Sequence, residues 1–242
     1  CFAAFAAAAA MAERFGSLRH RRSIELQRVA ERYWAGRWDE AVAIVDALVA
    51  GAERHYLEWE CRLWRGRIRL ARGRLADALQ DAETAVALAS EAGDPQNLQP
   101  TRAFLARVLL AAGRGAAAAA VAEELLAGLG GGVLGPDLGV DLGVVLRGLD
   151  RPAALDGRDI PPSPWLEAAR AFAGGDPLRA AAVYAAVGSR PDEADARLAA
   201  ARRLAADGHV EAASAELAAA RAFWTEVGAA GFLAETAAPP HG

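Results

Sequence analysis

The sequence predicts an all-α protein, a superhelical array of about six helix pairs, and three observations carry that reading. Alanine supplies 64 of the 242 residues; it is the best helix former and lets helix axes approach toward the close end of the ~8–10 Å range. A helical pattern stops at glycine and resumes with an alanine five residues later at six places: Gly36 with Ala41, Gly73 with Ala78, Gly113 with Ala118, Gly148 with Ala153, Gly175 with Ala180 and Gly208 with Ala213. The segments between these turns carry apolar stripes at helical rather than alternating spacing. Enough larger apolar residues remain beside alanine to form a core.

The elements follow in order. Ser23 to Trp34 pairs with Trp38 to Val49, and Tyr56 to Ala71 with Leu75 to Ser90. Glycine ends each first helix by accepting the left-handed conformation, and the small alanine lets the second helix cross closely. Asp94 before Pro95 reads as an N-cap followed by proline in the first turn, opening a helix to Ala112 that Pro100 kinks; Ala116 to Gly128 answers it. The fourth unit is degraded: glycines from 128 to 135 and Pro161, Pro162 and Pro164 flank a short helix near Leu138 to Arg147 with no well-defined partner. Ser163 with Pro164 starts a helix to Ala173, Asp176 with Pro177 its partner to Val187, and Pro191–Ala206 with Val210–Val227 form the last pair. The domain plan is an N-terminal extension over 1–22, a first sub-array over 23–130, an irregular repeat over 131–163, a second sub-array over 164–234, and a disordered tail over 235–242. The intervals between the turn glycines, 37, 40, 35, 27 and 33 residues, bracket the 34-residue period of tetratricopeptide repeats.

Beyond the period, Gly93 to Arg114 (GDPQNLQPTRAFLARVLLAAGR) and the strings PWLEAARAFAGGD, VGSRPDEADARL and AFWTEVGA within Pro164 to Ala229 carry a resemblance. They resemble the tetratricopeptide-like C-terminal repeats of large bacterial signalling proteins, in which a class III adenylate or guanylate cyclase or another output domain precedes an NTPase module. The resemblance covers roughly Ser23 to Ala229. It implies the non-catalytic tail of such a protein, because no cyclase metal-binding aspartates and no nucleotide-binding loop match here. The alternatives are a free-standing adaptor and a cryptic enzyme.

Composition excludes whole classes of chemistry. All 27 basic residues are arginine, so a P-loop lysine, Schiff-base catalysis and pyridoxal phosphate attachment are ruled out within this chain. The net charge of −4 argues against a nucleic-acid-coating protein, although residues 1–74 carry +5 and residues 75–242 carry −9. Only Cys1 and Cys61 are present, so no disulfide framework forms and a cytoplasmic setting is expected. The apolar run from Cys1 to Ala12 falls short of the ~18 residues of a membrane span and lacks the positive region of a signal peptide. A chain opening on Cys reads as truncated, with a lipid-modified cysteine as the alternative.

The remaining motifs reduce to structure. Gly130, Gly132 and Gly135 satisfy G-x-G-x-x-G, but a helix rather than a strand precedes them, so they read as linker. Asp192, Glu193, Ala194 and Asp195 spell the DEAD string of RNA helicases; without a lysine loop they read as acids in a helix first turn, where the macrodipole favours them. His20, His55, His209 and His241 are scattered, and no catalytic, cofactor-binding or metal residues are assigned. A catalytic site would have to bring His55 or His209 against carboxylates in a cleft.

The one candidate partner-binding set is a wedge of Arg62, Arg65, Arg69 and Arg72 beside Glu58, between two apolar faces of the helix spanning Tyr56 to Ala71. If the wedge opens into the concave groove, four planar donors suit an acidic peptide segment or an adjacent domain of the same polypeptide. If each arginine is salt-bridged to a carboxylate of the array, the wedge is structural. No nucleic acid and no membrane partner is expected.

Overall fold

The computed structural model describes residues 18–50 and 55–237, together with Met11 and Arg14. Among them are twelve helices and no strand. They are α1 (Leu18–Trp34), α2 (Trp38–Val49), α3 (Glu58–Ala71), α4 (Leu75–Ala92), α5 (Pro95–Ala111), α6 (Gly115–Ala127), α7 (Pro136–Gly148), α8 (Pro164–Ala173), α9 (Pro177–Val187), α10 (Arg190–Ala206), α11 (Val210–Glu226) and α12 (Ala230–Ala237). Each packs on its neighbours in sequence, as a helical repeat requires.

Five of the six glycine turns share one geometry. Gly36, Gly73, Gly113, Gly175 and Gly208 have φ between 70° and 82°, where a Cβ is strained. Each closes with two backbone bonds, as when Gly73 N–H donates to Leu70 O (3.0 Å) and Arg74 N–H to Arg69 O (2.8 Å). Five residues on, Ala41, Ala78, Ala118, Ala180 and Ala213 are buried in the pair interface. The N-caps also form: Asp94 accepts from Gln96 N–H (2.9 Å), Ser163 from Leu166 N–H (3.1 Å) and Asp176 from Arg179 N–H (3.2 Å).

The sixth turn departs from expectation. Gly148 is the last residue of α7, the left-handed residue is Asp150 (φ 54°), and Ala153 is exposed. No helix forms between 149 and 163, since Pro152 and the left-handed Gly157 (φ 66°) leave too few residues between them for a stable helix. Leu155 and Ile160 still plug into the core of Leu134, Leu138, Leu142 and Leu166. The array therefore holds five complete pairs, α7 without an outer partner, and α12 alone. Leu18 to Arg22, expected in an extension, belong to α1; Glu235 to Ala237, expected in the tail, belong to α12, and Ala238 to Gly242 lie outside the described residues.

The inner face of the array is folded shut. One core cluster joins Leu26, Val29, Tyr33 and Trp38 of the first pair and Trp64 of α3 to Leu198 of α10 and Phe223 and Trp224 of α11. Trp38 stacks on Tyr33 (5.7 Å between centroids) and meets Phe223 edge-on (6.0 Å). α12 completes the circuit by laying Gly231 against the Gly73 turn, where an added Cβ would fall 2.5 Å from Gly73 N.

Candidate functional site

The arginine wedge faces away from the centre of the circuit. Arg62 pairs with Glu58 (2.9 Å) and Asp81 (3.3 Å), Arg65 with Asp81 (2.8 Å) and Asp46 (2.8 Å), Arg69 with Asp81 (2.6 Å) and Arg72 with Asp39 (2.6 Å). Asp46 and Asp39 lie on α2 and the fully buried Asp81 on α4, so the wedge sits among outer helices and outside the concave groove. Burial works to lower the Arg65 pKa, but the hydrogen bonds it donates to Asp81 and Asp46, with the charges of those carboxylates, outweigh burial and raise it. Each of the four is thus ion-paired to a carboxylate of the array, the outcome expected of a structural wedge. The helical wheel explains the direction: Arg67, about 180° from the wedge at 100° per residue, is the arginine of α3 that points inward.

Around Arg67 the inner helices converge on a polar centre. Its Nε and Nη2 donate to Asp141 of α7 (3.1 and 2.6 Å), and Nη2 also donates to Asp137 O (2.7 Å). Arg107 of α5 takes the other Asp141 oxygen (3.0 Å) and also grips Asp195 of α10. Asp141 is fully buried and Arg67 and Arg107 nearly so, so each charge depends on its partners. Nearby, Asp192 accepts a hydrogen bond from Ser189, yet burial lifts its carboxyl to about 7. Burial and the charge of Asp137 lift Glu60 to about 7, while Trp64 Nε1 donates to it (3.4 Å). Burial also raises the Tyr33 and Tyr184 phenols, with Asp192 adding to both.

This centre corrects the sequence reading of Asp192 and Asp195, which face inward into a buried network; Asp192 is a first-turn acid as well, whereas Asp195 lies one turn further along α10. A signal existed: Arg67 with Glu60, Asp141 with Asp137, and Arg107 by itself set charges on otherwise apolar helix faces, where an unpaired charge is too costly to keep.

The other motifs behave as linkers and structure. α7 begins directly after Gly135, but α6 and a loop precede it. His209 is exposed at the N-cap of α11; His55 is buried, and burial lowers its pKa. Cys61 is buried and its thiol is pushed up to about 12, chiefly by burial; Cys1 and His241 lie outside the described residues. Among the described residues no three His, Cys, Asp or Glu side chains form a metal-binding group, and no helix is long and apolar enough to cross a membrane.

Two clefts bear on function. An outer groove of about 670 Å³ runs along α8 where the fourth unit lacks its outer helix, lined by Pro162, Glu167, Arg170, Ala171, Asp176 and Arg179. A mouth cleft of about 370 Å³ opens beside the polar centre between α3, α5, α7, α8, α10 and α12. Compared with known proteins, the chain matches no family model, no curated protein and no solved structure.

Proposed function

We propose that the chain is a non-catalytic, tetratricopeptide-like repeat module, a protein-interaction and regulatory unit of the cytoplasm belonging to a bacterial signalling protein of the nucleotide cyclase or NTPase type. The observation that supports this reading is the repetition of one glycine-turned helix pair five times, an architecture that supplies surface more readily than chemistry. Closure of the concave face moves the partner surface outward, to the groove along α8. There an exposed pair of Arg179 with Glu167 (3.1 Å) and the bond Arg170 donates to Leu155 O (2.9 Å) border the groove. The occupant is a protein segment, an adjacent domain of the same polypeptide being the first choice.

The test is cross-linking in cells with the wild type and with Glu167→Arg/Ala171→Arg, which fills the groove without replacing a buried residue. A partner captured by the wild type and lost by the variant, at unchanged helicity and melting, is the expected result. Capture of the same partner by both, or nucleotide turnover by the purified chain, would contradict the reading.

A further inference from the structure

The mouth cleft carries an unmatched charge. Its walls are largely apolar, built by Leu70, Leu110, Val144, Phe172, Leu198 and Phe232, with arginines and acids between them. Arg107 is held by Asp141 and Asp195, Arg202 by Glu235 (3.4 Å) and the neighbouring Arg203 by Asp207 (3.7 Å). Arg147 has no carboxylate within ion-pair distance among the described residues. Its Nη1 is shielded from solvent and donates to nothing, and its guanidinium lies 5.6 Å from the Phe172 ring. Burial, then Arg203 and Arg202, lowers its pKa, as expected for a cation among cations.

We propose that this cleft binds an amphipathic monoanion, a carboxylate on an apolar chain, with the head on Arg147 and the body against Leu110, Val144, Phe172 and Phe232. A planar guanidinium whose charge no carboxylate of the array matches suits a carboxylate head. The volume of about 370 Å³ falls in the lower part of the ~300–1,000 Å³ range of small-molecule pockets and is small for a folded peptide. Asp195 and Glu235 stand nearby, and α5 and α7 end at the cleft with their carbonyls, so a dianion such as phosphate is repelled where a single negative charge is matched by Arg147. This site does not depend on a protein partner and stands or falls separately from the groove along α8.

Isothermal calorimetry of the full chain with decanoate, decanamide and inorganic phosphate tests it. Decanoate should bind saturably, decanamide at least tenfold more weakly, and phosphate without saturation. Arg147→Gln should weaken decanoate at least tenfold with melting unchanged or slightly raised, since it removes a cation that nothing compensates. Equal binding of decanoate and decanamide, saturable phosphate binding, absent decanoate binding, or an Arg147→Gln variant as tight as wild type would overturn the proposal. The decanamide comparison uses the wild type and holds whether or not the variant folds.

Discussion

Two buried aspartates, Asp81 on α4 and Asp141 on α7, use the same chemistry over different reaches. Asp81 gathers Arg62, Arg65 and Arg69 from the one helix next to it in sequence. Asp141 gathers Arg67 of α3 and Arg107 of α5, 74 and 34 residues away. Two of the arginines on Asp81 have a second carboxylate, Glu58 or Asp46; Arg67 has only the Asp137 carbonyl besides Asp141. The first aspartate fixes one repeat unit, while the second joins three inner helices. Arg107 keeps Asp195 as a second carboxylate, so it is Arg67, at the centre of the circuit, that lacks the redundancy Arg62 and Arg65 have.

The comparison predicts its own ranking. Asp141→Ala takes from the buried Arg67 its one carboxylate and from Arg107 one of two, and should cost about 3–5 kcal/mol, a fall in melting temperature of roughly 10 °C or more at ~2–4 °C per kcal/mol. Asp81→Ala should cost less, about 1.5–3 kcal/mol, because Arg62 and Arg65 keep other partners. Equal losses in calorimetry would erase the distinction.

Gly231→Ala tests the closure from the opposite side. Its Cβ would lie 2.5 Å from Gly73 N and 2.6 Å from Gly73 Cα, and backbone cannot rotate away, so a loss of about 1–3 kcal/mol is expected. A neutral effect would show that α12 does not seat on the Gly73 turn.

The smallest expected effect is that of pH. Asp192 and Glu60 are raised to about 7 by burial, and Asp137 and Asp195 are raised as well. A carboxyl raised in the fold stabilises below its unfolded value near ~4 and loses that contribution as pH climbs through the folded value. Melting should therefore be higher at pH 5 than at pH 8, opposed only in part by His55, whose lowered pKa works the other way below ~6.5. Asp192→Asn should flatten the slope; a slope unchanged by that substitution would remove Asp192 as a source.

Sequence made the local parts readable. Glycine turns, the Asp94, Ser163 and Asp176 caps and the missing helix after α7 follow from neighbouring residues. Closure rests on the shared core of the first and last pairs and on contacts such as Arg190 to Ala35 O (2.9 Å) across 155 residues, which no local rule encodes. α12 escaped for a related reason: eight residues are too few to hold a helix alone, and Phe232 against Trp224 (5.0 Å) anchors it. The wedge was legible as a charged stripe, but its direction was not. That needed Asp81, Asp46 and Asp39, whose positions depend on how α2 and α4 pack against α3.

The central claim is that the array closes on itself, and small-angle X-ray scattering tests it most directly. A closed circuit of 242 residues should give a radius of gyration near the compact-domain value of about 18 Å, with a pair-distance profile having a single symmetric maximum. An elongated profile with a distinctly larger radius, as an open superhelix gives, would contradict the account.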